Sequence, residues 1–545
     1  MICILHGYLL EGSGSNLWTR SIVESLCRGG ETVHLMAQEN HPERYPFITE
    51  ARRYLPDGTV ETFYQGGGNE HAGHCILHKP VLGDTLPVYV WDKYEEFPNV
   101  VPMVDLDDDA IEEYTSRNVA ALSRIVRENG ITAIHANHAV LMSVVAQRVS
   151  AESGVPFTIM PHGSALEYAV KRDERFLKLA TGAFTAAGRI FVIGSEMRGR
   201  VNTVFAGIPG LEAKMADLHL GVDTSQFETV PRERRRGKIA ELEGALQGLP
   251  RGRTLAQTDA MLALLGEGAG LEDAFAVARG FASKAPDAEL ERKLGAVDWD
   301  RDPTLLYVGR LISAKGVQEV MAALPLILAG TPGLRVLVVG HGPLREPLEA
   351  MLWALEHGRR EMVEEIVATG RALEGDPEGE GGGHELTKVA SFLDQLRERG
   401  ELDAYYEAAR THIRRDRVIF TGYLTHRELR HLFPCCDVAV FPSVVKEAGP
   451  LVFLEALASG AFPMGTYFGG MQASIDSVAE ALPPGDAEPM KLSPDAAHTV
   501  ADIVRNFPVA LAVGGRHKDA LGRIARERYD WGSVSKTFAA ELRAL

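Results

Sequence analysis

Cysteine is scarce in this chain. Cys3, Cys27, Cys75, Cys435 and Cys436 are the only five in 545 residues, too few and too odd in number for a disulfide framework. Free thiols in a reducing compartment are expected instead. No run approaches the roughly 18 apolar residues that span a bilayer. The opening residues, Met1-Ile2-Cys3-Ile4-Leu5-His6-Gly7, lack the basic and apolar regions of a secretory signal, so a cytoplasmic location is expected. Basic charge is in deficit too: 57 Lys and Arg stand against 74 Asp and Glu, a net charge of −17. That excludes nucleic acid and anionic membranes as natural partners. The one basic run, Arg232 to Lys238, reads as a solvated face beside an insertion. What remains is an ordinary globular composition, 45% hydrophobic and 24% charged, in a chain too long for a single core.

The organising stretch is Lys446-Glu447-Ala448-Gly449-Pro450-Leu451-Val452-Phe453-Leu454-Glu455. Before it, Asp437 to Ser443 reads as a buried parallel strand. After it, Leu451 to Ser459 reads as a helix stopped by Gly460. Glu447 therefore belongs to the strand-to-helix loop and Glu455 to the helix, roughly 12 Å further on at helical rise. The free N–H groups of Leu451 and Val452 at the helix start suit an anion between the two carboxylates. One carboxylate can then hold sugar hydroxyls, the helix start a diphosphate, and the other carboxylate ribose hydroxyls.

Elsewhere the chain alternates strands and helices. Ile2 to Leu5 runs into Gly12-Ser13-Gly14-Ser15-Asn16 and a helix to Cys27, with Ser15 or Asn16 as its cap. Ile131 to Ile134 ends in His135-Ala136-Asn137-His138, and Phe157 to Met160 ends in Pro161-His162-Gly163. Thr304 to Val308 leads into Gly309-Arg310-Leu311-Ile312-Ser313-Ala314-Lys315-Gly316, where the glycine admits a phosphate and Arg310 and Lys315 neutralise it. His71, His74, Cys75 and His78 have spacing that would seat zinc, but no second ligand cluster accompanies them, so no metal site is assigned. The region from about 42 to 109 reads as irregular, with Gly66-Gly67-Gly68 and the aromatics Tyr64, Tyr89, Trp91, Tyr94 and Phe97.

The paired glutamates, the following Ala456-Leu457-Ala458-Ser459-Gly460 and Gly469-Gly470, the Gly309-Arg310…Lys315-Gly316 segment and the Gly340-His341-Gly342-Pro343 turn together resemble the retaining glycosyltransferases of family 4. The resemblance is dense over 304–340 and 417–475 and sparser over 1–227. It implies an α/β, GT-B fold: two Rossmann-like domains facing across a cleft. The first would cover 1–220, joined by a C-terminal helix at about 520–545, and would take the acceptor. The second, 301–520, would bind the nucleotide sugar. Two helical insertions, at 228–300 and 350–415, lie outside the resemblance and are candidates for self-association.

By the same resemblance, His138 or His135 steadies the donor sugar with Glu447. Gly309, Arg310, Lys315, Leu451 and Val452 hold the diphosphate, and Glu455 the ribose. Gly422 and Tyr423 hold the base. Gly12, Gly14, Ser15, Asn16 and His162 line the sugar and acceptor side. The family's His-x-His is altered here, with Asn137 in place of the second histidine. The implied reaction moves a hexose from a nucleoside diphosphate sugar, UDP-linked by expectation, to an acceptor hydroxyl on a small molecule, glycan or lipid. It needs no metal or cofactor. Another GT-B enzyme, a phosphorylase or nucleotide-sugar epimerase, and a non-catalytic nucleotide-sugar-binding scaffold remain as alternatives.

Overall fold

A computed structural model describes residues 1–545 apart from 12–13, 67–70, 84, 90–96, 98, 279–283, 375–382, 447–448 and 450. The chain divides into two compact units, Met1–Gly221 with Arg528–Leu545, and Val222–Glu527.

In the first unit, nine strands form one sheet. From one edge they run Met215–Asp217, Arg189–Val192, Phe157–Met160, Ala133–Asn137, Ile2–Leu5, Thr32–Met36, His74–Pro80, Ile48–Tyr54 and Val60–Gln65. All neighbours are parallel except the last pair. The register sets Ile4 beside Leu35 and His135. From Ile2–Leu5 the chain steps outward to Thr32–Met36, whereas from Ala133–Asn137 it steps the other way to Phe157–Met160. The direction of winding therefore reverses between the two central strands. The C-terminal helix Trp531–Arg543 packs on the same core through Val534, Phe538 and Leu542.

Residues 42–109 are more regular than their sequence suggests. They supply three strands of this sheet, including an antiparallel hairpin that turns at Asp57-Gly58. Arg52, Arg53, Glu50 and Glu61 mask the strand pattern there, because an edge hairpin faces water. Asp57-Gly58 is itself a hairpin signal.

The second unit holds six parallel strands in the order Val418–Gly422, Arg335–Val339, Thr304–Val308, Val438–Phe441, Phe462–Thr466 and Lys491–Leu492. The central strands are almost wholly apolar and buried on both faces, as helices on both sides of a parallel sheet require. Winding reverses again between the first strand in sequence, Thr304–Val308, and Val438–Phe441.

The segment 228–300 forms helices Arg235–Ala245, Leu255–Gly266, Leu271–Ala278 and Leu290–Gly295. Its basic run is a solvated face in part, with Glu233, Arg234, Arg236 and Gly237 exposed, but Arg235 is buried and the run also clamps. Arg232 and Arg235 both bind Asp437, at 2.8 and 2.5 Å, and Arg236 reaches Asp298 and Asp300. Between Arg335–Val339 and Val418–Gly422 the described residues form the helices Arg345–Glu356, Arg360–Leu373, Thr387–Glu398 and Leu402–His412. Breaks at Gly358 and Gly400, both left-handed, divide what the sequence pattern reads as two continuous stretches.

Candidate functional site

In a doubly wound sheet, ligands bind beyond the C-terminal strand ends where winding reverses, because the helices diverge there and leave backbone N–H groups exposed. In the second unit that point joins Gly309–Gly316 to the segment following Phe441. The two are tied directly. Val444 N donates to the Ala314 carbonyl at 2.9 Å, and Ser443 Oγ to the same oxygen at 3.3 Å. Gly316 has φ +74°, and a Cβ on it would stand 2.0 Å from the Pro442 carbonyl oxygen. Only glycine fits this approach. Leu311 N bonds to the His341 carbonyl and Gly309 N to that of Val339, which draws the Gly340–Gly342 turn into the same cluster.

The charges of this cluster suit an anion. Arg310 is exposed and Lys315 partly so. Burial, and then the neighbouring Lys284 and Arg310, holds the His341 imidazole below its usual range. Helix Leu451–Ala458 begins here, and its first-turn N–H groups, those of Leu451 and Val452 among them, have no intrahelical acceptor. Glu455 is 4% exposed. Its Oε1 lies 2.7 Å from His426 Nε2, and its Oε2 is buried with no hydrogen-bond partner among the described residues. A buried acceptor left open in this way costs about 1–3 kcal/mol unless a ligand donates to it. Glu447, expected to hold the sugar, lies outside the described residues.

Gly422 and Tyr423 are placed at the end of their strand, but part of their backbone is already engaged. Tyr423 N donates to the Ala285 carbonyl at 3.0 Å, and Gly422 bridges Pro286. The segment after helix Leu271–Ala278 thus closes the turn expected to hold a base. The His341 ring stands edge-on to Tyr423, with centroids 5.2 Å apart. Sequence reading passed over His341 and His426 as site residues. Their only signal is position, each beside a strand end.

In the first unit the reversal point gathers a histidine cluster. His6, directly after Ile2–Leu5, is held on both ring nitrogens, by Thr19 Oγ1 at 3.2 Å and by Asn16 Oδ1 at 3.1 Å. Asn137 Nδ2 donates to Thr19 Oγ1 at 3.1 Å, and Asn137 Oδ1 lies 2.9 Å from His162 Nε2. His138 sits among them, its ring 4.8 Å from that of His162, 5.8 Å from that of His6 and 4.7 Å from that of Tyr89. It is 1% exposed, and neither ring nitrogen has a partner among the described residues. Burial keeps His138 and its neighbours neutral: His6 is lowered to about 4 and His162 to about 3, and His138 falls well below its usual value. His138 and His162 also have positive φ, 74° and 48°, a strained state for side-chain-bearing residues that clusters at functional positions.

His135 is not part of this cluster. Strand alternation turns it toward the core, against Phe538 at 4.8 Å and Trp18 at 5.7 Å, with Nδ1 on Thr158 Oγ1. Asn137 shares that face at the strand's end and does the work of a polar link. Gly14 opens helix Gly14–Arg28, so Ser15 and Asn16 lie inside it rather than capping it. Asn16 also donates to the Glu11 carbonyl at 2.6 Å. Gly12 lies outside the described residues. The missed member is His6, which the rule applied to His138 would have found. His74, Cys75 and His78 do not converge: Cys75 faces away from the two histidines, and those stand four residues apart along one strand. His78 bonds instead to His34 and Tyr54.

Residues 396–493 match the family described as Glycosyl transferases group 1. A glycogen synthase of Mycobacterium tuberculosis is 25% identical over 235 residues, covering 43% of this chain and 41% of that protein. The match thus spans well under half the length of the curated relative. Among solved structures, a glycosyltransferase from Rickettsia africae superposes with TM-score 0.53 at 10% identity, covering 100% of this chain and 97% of the other. Anabaena HepE in complex with UDP does so with TM-score 0.50 at 14% identity, covering 100% of both. The fold is GT-B.

Proposed function

We propose that this chain, a group 1 glycosyltransferase of the GT-B fold, moves a hexose from a UDP-linked donor to an acceptor hydroxyl with retention of configuration and without a metal. The observation that carries the reading is the convergence in the second unit. The turn carrying Arg310 and Lys315 is tied to the segment that leads toward helix Leu451–Ala458 at the reversal point of the sheet, and that helix carries the buried open carboxylate oxygen of Glu455. A nucleoside diphosphate needs these parts: positive charge and N–H donors for the phosphates, and a carboxylate acceptor for ribose hydroxyls. Uracil is the base suggested by HepE, which was solved with UDP.

In this reading Arg310 and Lys315 stabilise the diphosphate as negative charge grows on it. The acceptor oxygen bonds to the anomeric carbon from the leaving-group side as the bond from that carbon to the phosphate oxygen breaks. The acceptor's proton passes to a departing phosphate oxygen, and free nucleoside diphosphate leaves. No carboxylate of the first unit is nominated as a nucleophile, which favours this front-face course over a covalent intermediate. Glu447 holds sugar hydroxyls. His138, neutral, offers one ring N–H and one acceptor nitrogen to a sugar hydroxyl and does not act as a base.

Thermal shift with UDP, GDP and ADP tests the donor site, since a ligand bound only by the folded state raises the melting temperature. UDP should shift it most. Lys315→Ala and Glu447→Ala should each abolish transfer, and near-normal activity in either would defeat the site assignment. Release of nucleoside diphosphate, rather than a sugar phosphate, separates this reaction from a phosphorylase.

A further inference from the structure

The helices inserted after Arg335–Val339 reach the phosphate-side turn from behind. Helix Val317–Gly330 starts directly after that turn, and nearly every residue from Val317 to Leu328 is buried, polar Gln318 and Glu319 included. A crossover helix ordinarily keeps one face in water. Here Leu402–His412 covers it, with Tyr405 Oη donating to the Ala322 carbonyl at 2.9 Å, and Thr387–Glu398 lies alongside.

Two opposite charges are enclosed in that contact. Glu319 is 1% exposed. Its Oε1 accepts from Gln318 Nε2 at 3.2 Å, while Oε2 has no partner among the described residues. That Oε2 lies 3.0 Å from where a Cβ on Gly316 would stand, directly beneath the turn. Lys388, on the inserted helix Thr387–Glu398, is also buried, and its Nζ has no hydrogen-bond partner among the described residues. Burial raises Glu319 to about 7 and lowers Lys388, and each is partly offset by the charge of the other. Two further ties join the insertion and the helix to the same turn. Ser313 N donates to Glu374 Oε1 at 2.9 Å, just past helix Arg360–Leu373, and Gln318 Nε2 donates to the Ser313 carbonyl at 2.8 Å. For stability alone an apolar pair would serve as well as these buried charges or better. Glu319 lies directly under the turn and Lys388 is its buried counter-charge, and that placement points to a positional use.

We propose that Glu319, Lys388 and Glu374 are positioning residues for the donor, holding the Ser313–Gly316 turn in the conformation in which it meets a nucleoside diphosphate. The insertion is then a brace of the site. This rests on the donor reading given above.

The test is titration calorimetry with UDP, GDP and ADP on the full chain, with melting temperatures recorded alongside. Variants are Glu319→Gln, Lys388→Met, their double, Lys388→Arg, Glu374→Gln and Lys315→Ala. Glu319→Gln and Lys388→Met should each weaken the nucleotide at least fivefold, and the double should be no worse than the weaker-binding single, since each acts through the charge of the other. Lys388→Arg should restore most of the affinity, and Glu374→Gln should cost two- to threefold. If Lys315→Ala loses binding while the Glu319, Lys388 and Glu374 variants bind as the wild type does, the donor reading stands and the brace is overturned. Should either core variant fail to fold, Glu374→Gln decides, and unchanged affinity there overturns the proposal. If the wild type binds none of the three nucleotides, the donor reading falls and the brace falls with it.

Discussion

The first unit should unfold in mild acid well before the second. Five of its histidines, His6, His34, His78, His135 and His138, are at most 1% exposed. Burial lowers each of them: His6 and His34 to about 4, His135 to about 3, the other two well below their usual value. Unfolded, each titrates near 6.5. The unfolded chain therefore binds more protons between about pH 6.5 and 4. The stabilisation is fully present above pH 6.5 and is lost as pH falls through that window. At pH 5.5 one such group costs on the order of 1 kcal/mol, and the five together several kcal/mol, comparable to the whole stability of a domain. In the second unit Glu319 acts in the opposite sense, because its raised pKa favours the folded state as pH falls toward its unfolded value. Hydrogen exchange in the Ile2–Leu5 and Thr304–Val308 strands, corrected for intrinsic pH effects, reads the units separately between pH 7.5 and 5.5. The first should lose several kcal/mol and the second little. His135→Leu should return on the order of 1 kcal/mol of the loss. Equal losses in both strands, or under about 2 kcal/mol in the first, would refute the argument that these imidazoles are held neutral.

Other consequences are local. Glu455→Gln should weaken UDP by about ten- to a hundredfold, the worth of hydrogen bonds to a charged acceptor, yet leave pyrophosphate competition unchanged, since pyrophosphate has no ribose. Equal weakening of both would remove Glu455 from the ribose. Asp437→Asn leaves Arg235, 2% exposed, without its carboxylate and should cost about 3–5 kcal/mol in urea unfolding; a loss below about 1 kcal/mol would show that Arg235 finds another partner. Gly316→Ala forces a Cβ against the Pro442 carbonyl at positive φ and should cost more than about 1 kcal/mol together with UDP affinity. Unchanged binding would mean that the turn is not part of the donor site. His138→Ala should leave UDP affinity near the wild-type value and slow transfer. A change confined to UDP binding would place the histidine elsewhere.

The α/β alternation, the two halves, the cation turn after Thr304–Val308 and the helix carrying Glu455 were all legible in the residues. Each rests on local physics: apolar runs for buried parallel strands, glycines where a turn must be tight, and charge spaced along one helix. Residues far apart in sequence are a different matter. Nothing local says that His135 points into the core while His138, three residues on, turns inward at the strand end beside His6 and His162. Only the pairing of strands and the resulting alternation decide that. Nothing in the basic run 232–238 announces Asp437, some two hundred residues away, as its partner. The closing of Gly422–Tyr423 by Ala285 and Pro286, and the burial of Glu319 beneath the Ser313–Gly316 turn, depend on how inserted helices pack. Side-chain type and spacing fix what a residue can do; the packed chain alone fixes what it faces, because desolvation and contact act between groups that sequence order does not bring together.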